Sequence, residues 1–158
     1  RERQPEAQGL LAAPGVQPAA AVTPSRTPIE GQQCAMLRIA PPFGKPAPTA
    51  LERTHVSLVS NPVKLPPGSL VRISGWVQIP ERITASPDGA LIFDSAGGEP
   101  LAIRLTEPSP WKKYEFYRRV PASGSLTVTL QLTGVGTVYF DNIRVEPLAP
   151  PNGIPFNE

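Results

Sequence analysis

Trp76 sits in the middle of LVRISGWVQIP, residues 70–80, and its neighbours define the chemistry open to it. Val71, Ile73, Val77 and Ile79 alternate with other positions, with Gly75 in the same register, and so form the buried face of a strand. Arg72, Ser74, Trp76 and Gln78 then share the opposite face, along with Leu70. An indole left outside a core among hydrogen-bonding side chains suits a sugar. The ring stacks on the C–H face of a pyranose while Arg72 and Gln78 bind hydroxyls. Burial is the competing use, because tryptophan is usually largely covered. The proline-rich stretch 40–53 is the segment that would cover it.

Tyr117 follows the same logic. In WKKYEFYRRV, Tyr114, Phe116 and Val120 read as inward, which sends Glu115, Tyr117 and Arg119 outward. If this strand and the Trp76 strand belong to one sheet, Tyr117, Arg104 and Trp76 line one concave surface. Otherwise Tyr117 marks a sheet edge. Trp111 follows Pro110 at a strand entrance, where it reads as a plug at the end of the core.

Asp141 lies between Phe140 and Asn142 in an apolar strand. A half-buried carboxylate there needs a backbone turn, an arginine or a hard cation. A structural calcium would draw further oxygens from Asn142, Glu30 and main-chain carbonyls. DGALIFDSAGGE has Asp and Gly but not the spacing of an EF-hand loop, so its Asp/Gly pieces read as turns. Lys112–Lys113 and Arg118–Arg119 are adjacent pairs. Alternation sends each pair to opposite faces, as solvated charges rather than a phosphate groove.

Catalysis finds little to work with. The sole histidine, His55, is on a strand beside Ser57, with no nucleophile elbow around a serine. Gly134–Val135–Gly136 reads as a turn, not a phosphate loop. Among Asp94, Glu99 and Glu115 nothing nominates a pair of acids for glycoside hydrolysis. The expectation is a non-enzyme.

The elements that position these residues are strands. QCAMLRI puts Ala35, Leu37 and Ile39 on one face and Cys34, Met36 and Arg38 on the other. THVSLVS turns Val56 and Leu58 inward, Val63–Leu65 is a short edge piece, and ALIFD and LAIRL follow. In LAIRL, Leu101, Ile103 and Leu105 alternate with Ala102 and Arg104. SLTVTLQL, TGVG and TVYFDNIRV read as a closing hairpin. About eight strands between Gln33 and Val145, with no helix, predict an all-β fold: an antiparallel two-sheet β-sandwich, or jelly roll.

Composition sets the limits. Of 22 prolines, nine precede Leu51. Residues 1–29 read as a disordered or extended Pro/Ala-rich tail, 30–147 as the sandwich, and 148–158 as a second proline-rich tail. A formal charge of +2, with scattered basic residues, argues against nucleic acid and anionic membranes. No stretch nears about 18 apolar residues, so no membrane span is expected. GLLAAPGVQPAAAV, broken by Pro14 and Pro18, does not read as a signal peptide. Cys34 is the single cysteine, which excludes an intramolecular disulfide and a thiolate metal site.

The order of motifs resembles the galactose-binding-like jelly roll of bacterial carbohydrate-binding modules. Three pieces carry it: Pro67–Gly68 leading into LVRISGWVQIP, Trp111 opening WKKYEF, and the closing VYFDNIRV. The likeness spans roughly Gln33 to Val145. It departs where the family often has an Asn–Gly–Phe–Glu-like first strand and two closing acids; here Asp141 is followed by Asn142. The resemblance implies a non-catalytic glycan-binding domain in an extracytoplasmic or cell-surface setting, with Asp141 as its one candidate for structural calcium. The same sandwich also serves as an assembly module. In that alternative it contacts a protein partner, and the proline-rich tails dock on that partner.

Overall fold

The computed structural model describes residues 7–11, 17–24, 33–41, 44–46, 48 and 55–148. Its strands are β1 (Ala7–Leu11), β2 (Gln17–Pro24), β3 (Gln33–Ala40), β4 (His55–Val59), β5 (Val63–Lys64) and β6 (Leu70–Ile79). They continue with β7 (Ala90–Asp94), β8 (Ile103–Leu105), β9 (Ser109–Arg119), β10 (Ser125–Leu126), β11 (Val128–Leu132) and β12 (Gly136–Pro147). A front sheet runs β2-β3-β12-β6-β9 and a back sheet β1-β4-β11-β7-β8, while β5 and β10 form a small ribbon. Strand pairing is antiparallel throughout both sheets.

Each sheet turns its apolar rows toward the other. Leu37, Ile39, Ile73, Val77, Ile79, Val138 and Phe140 come from the front sheet. Val56, Leu58, Ala90, Ile92, Val128, Leu130 and Leu132 come from the back sheet. Phe140 is 1% exposed, and burying such a ring contributes about 1.5–3 kcal/mol. A second cluster of Val71, Val120 and Leu126 closes one end. Tyr114 and Phe116 pack against the main core from β9, as alternation predicts.

Several expectations change. β11 and β12 are not a hairpin. β11 pairs with β4 and β7 in the back sheet, and β12 pairs with β3 and β6 in the front sheet. TGVG is the crossing between sheets. There Val135 exchanges two hydrogen bonds with Thr84, at 3.0 and 2.8 Å. Gly134 passes so close to this segment that an added Cβ would meet the Thr84 carbonyl oxygen and Ile83. A two-residue hairpin loop would leave the strands in one sheet; the bridge to Thr84 takes the chain across instead.

LAIRL is a strand only over Ile103–Leu105. Pro100 sits in the first turn of a short 3-10 helix, Glu99–Leu101, and Leu101 is 58% exposed. Within the stretch read as a tail, β1 and β2 are the edge strands of the two sheets. An edge is where Pro18 and Pro24 are tolerated, because a missing N–H can face away from the ladder. Residues 149–158 lie outside the described residues.

Candidate functional site

The outer face of the front sheet gathers most of the side chains singled out above. Residues directly opposite one another in antiparallel strands share a face, so the register defines rows across β9, β6 and β12. Tyr117, Arg72 and Glu146 form one row, Glu115, Ser74 and Arg144 the next, and Lys113, Trp76 and Asp141 the third. Gln78 and Tyr139 continue the face beyond Trp76, and on this face Ser74, Asp141 and Tyr139 are buried. Trp76 is partly buried and belongs to neither core cluster. Tyr117 is 51% exposed. The 40–53 segment that would cover Trp76 lies largely outside the described residues.

Arg72 organises the first two rows. It lies 3.5 Å from Glu146 and 3.6 Å from Glu115. Its pKa is raised above the ordinary arginine value, chiefly by the charge of Glu146 and against the lowering effect of burial. A side-chain hydrogen bond with Tyr117 and the charge of Glu115 add to the rise. Arg72 therefore holds the tyrosine and two carboxylates in place, beyond the hydroxyl-binding role expected of it.

Trp111 joins this face and does not plug the core. β9 carries one residue more than β6 here: Val77 faces Lys112 and Ile79 faces Ser109, which leaves Pro110 and Trp111 together opposite Gln78. This bulge keeps Trp111 in step with Lys113, Glu115 and Tyr117 on the outer side. The indole is partly buried and absent from both core clusters. Trp111 Nε1 and Gln78 Oε1 are buried atoms with no hydrogen-bond partner among the described residues. One is a donor and the other an acceptor, and both are covered from solvent. An unmade bond of this kind costs about 1–3 kcal/mol.

A second bulge shapes the Asp141 end. Asp141 faces Trp76, but Arg144 rather than Ile143 faces Ser74. Asn142 takes φ 50°, a left-handed conformation that asparagine adopts more readily than most residues. The extra residue turns Ile143 inward over Gly75, where any Cβ would meet the Ile143 side chain. Glycine at position 75 thus answers to an isoleucine on the neighbouring strand. The sequence carries a signal of the bulge: apolar positions run 138, 140, 143, 145, a step of three among steps of two.

The oxygens around Asp141 make local hydrogen bonds. Asp141 Oδ1 accepts the Asn142 N–H at 2.8 Å, and Asn142 Oδ1 accepts Arg144 Nε at 2.7 Å. Among the described residues no three His, Cys, Asp or Glu side chains are grouped to hold a metal, and Glu30 is outside them.

Arg104 does not belong to the face with Trp76 and Tyr117. It is on β8 in the back sheet, pairs with Asp88 at 3.1 Å and donates to the Glu99 and Ala102 carbonyls. Arg118 is not a solvated strand charge either. Its Nε lies 2.9 Å from Oδ1 of the fully buried Asp94, and it stacks over Phe116 with 4.9 Å to the ring centroid. Asp94 Oδ2 also accepts the N–H groups of Ala96 and Gly97 at 3.0 Å, the turn expected after ALIFD. This pair ties the end of β7 in the back sheet to β9 in the front sheet. Of the acids weighed for catalysis, Asp94 is held by Arg118 and Glu115 by Arg72.

No family model matches the chain, and no curated protein does. Solved structures share its fold. The structure of TmCBM61 in complex with beta-1,4-galactotriose superposes with a TM-score of 0.58 at 14% identity, covering 89% of this chain and 99% of that one. A family 16 carbohydrate-binding module gives 0.53 at 13% identity, covering 80% and 84%. The enzymatically active domain of bacteriophage CBA120 tailspike protein 4 gives 0.53 at 10% identity, covering 85% of this chain and 20% of that one. The jelly-roll architecture expected from the sequence is the one these proteins share. Among the described residues no helix is long and apolar enough to cross a membrane.

Proposed function

We propose that this chain is a non-catalytic glycan-binding module whose site is the outer face of the front sheet, centred on Trp76. One observation carries the reading. Both tryptophans of the chain and the exposed Tyr117 stand outside the core on a single sheet face, interleaved with polar side chains. Trp76 offers a stacking surface, while the amide N–H groups of Gln78 offer hydrogen bonds to hydroxyls. Arg72 and Tyr117 supply the rest of the polar surround. The shared architecture with two carbohydrate-binding modules supports the reading at the level of fold. An extracytoplasmic or cell-surface setting goes with it.

Few groups engage the ligand, so affinity falls in the micromolar to millimolar range, about −8 to −4 kcal/mol. Affinity electrophoresis through gels containing soluble polysaccharides tests the assignment. Trp76→Ala weakens retardation by about tenfold or more, roughly 1.4 kcal/mol. Arg104→Ala, on the other sheet, leaves it unchanged. Full retention in Trp76→Ala removes the site.

A further inference from the structure

The charges beside Trp76 point to a class of glycan. The inference rests on the reading of this face as a sugar site. Most cations here are already engaged: Arg72 with Glu115 and Glu146, Arg144 with Asn142, and Arg119 with the Gly68 carbonyl at 2.7 Å. Lys113 is different. It is exposed, directly opposite Trp76, and makes no ion pair or hydrogen bond among the described residues. Opposed Cβ atoms in such a pair lie about 5 Å apart. The ammonium on its four-carbon stem therefore reaches the edge of any ring stacked on the indole.

The row is polarised. Exposed Lys113 flanks Trp76 on the β9 side, whereas Asp141 on the β12 side is buried. A neutral sugar leaves the lysine charge unused. A sugar bearing one carboxylate on its ring edge places that group toward Lys113. A densely sulfated chain presents anions in both directions and meets Glu115 and Glu146, two carboxylates that share the single charge of Arg72. The arrangement thus favours one carboxylate per stacked sugar over dense sulfation.

We propose that the ligand of this face is an acidic, uronate-containing glycan, with Lys113 receiving the carboxylate of the sugar stacked on Trp76. The test uses the full chain and a panel of polygalacturonate, alginate and glucuronoxylan, each beside its carboxyl-reduced form. Reduction removes the charge and keeps the linkage. Affinity electrophoresis at low and high salt is expected to show at least one acidic polymer bound about tenfold more tightly than its reduced form, with the difference shrinking as salt rises. Lys113→Gln abolishes that difference, Lys113→Arg retains it, and Trp76→Ala weakens both forms. Circular dichroism confirms that each variant is folded, as expected for substitutions at an exposed lysine. Equal binding of the acidic and reduced forms, or an unaltered preference in Lys113→Gln, overturns the uronate inference and leaves the glycan reading standing. Binding to none of the polymers, acidic or reduced, overturns both.

Discussion

Individual side chains divide sharply between those that hold the sandwich together and those that its outer face presents. Arg118 and Arg119 are neighbours in sequence with opposite fates. Arg118 compensates the fully buried Asp94, whereas Arg119 rests on an exposed carbonyl. Removing one partner of a buried pair strands the other charge, which costs about 3–5 kcal/mol. Arg118→Ala is therefore expected to lower unfolding free energy in urea by that order, and Arg119→Ala by less than about 1 kcal/mol. Equal effects would mean that the Asp94 contact contributes little. Arg72 raises a question of pH. Because its pKa is raised, the stability it lends is fully present below the unfolded guanidinium value and is lost only in strong alkali. Titration of Arg72 thus leaves binding unchanged across the neutral range. For Asp141, chelation with EDTA is expected to leave the melting temperature unmoved, since the adjacent Asn142 oxygen already accepts a guanidinium hydrogen bond. A fall of several degrees would place a cation there.

At the scale of the element, two bulges decide which residues meet. The β12 bulge turns Ile143 over Gly75, so Gly75→Ala overpacks the core by about 1–3 kcal/mol. Urea unfolding should show that loss, and Ile143→Ala in the same chain should recover part of it. A Gly75→Ala protein as stable as the original would refute the packing account. The sequence made the β6 faces legible, because Val71, Ile73, Val77 and Ile79 alternate without a break. It did not reveal the side taken by Trp111, because the extra residue in 109–112 shifts the phase where Pro110 already obscures it. In β12 the step of three from Phe140 to Ile143 marks the bulge, but the Asp141–Asn142 pair that fills it carries no apolar side chain to fix the phase.

For the whole molecule, alternation tells which face a residue takes but not which strand it joins. That is why SLTVTLQL and TVYFDNIRV looked like a hairpin. Each has one buried row, and only the Thr84–Val135 bridge shows that the chain crosses between layers there. The same ambiguity grouped Arg104 with Trp76, although β8 and β6 lie in opposite sheets. Sandwich class and a core built from alternating rows were readable because they follow from hydrophobic period and turn spacing alone. The two-sheet partition separates the candidate faces cleanly: aromatics outside the core on the front, and Arg104 bound to Asp88 on the back.

Since the chain has only two tryptophans, and both stand on the front sheet, their two indole N–H signals report directly on it. The most direct measurement is a proton–nitrogen NMR titration with oligosaccharides cut from the polymer that retards the chain most. The account predicts that both indole signals and the backbone amides of Arg72–Gln78 and Trp111–Tyr117 shift in a saturable way while β8 stays still. Shifts centred on Arg104 and β8, with both indoles unmoved, would contradict it.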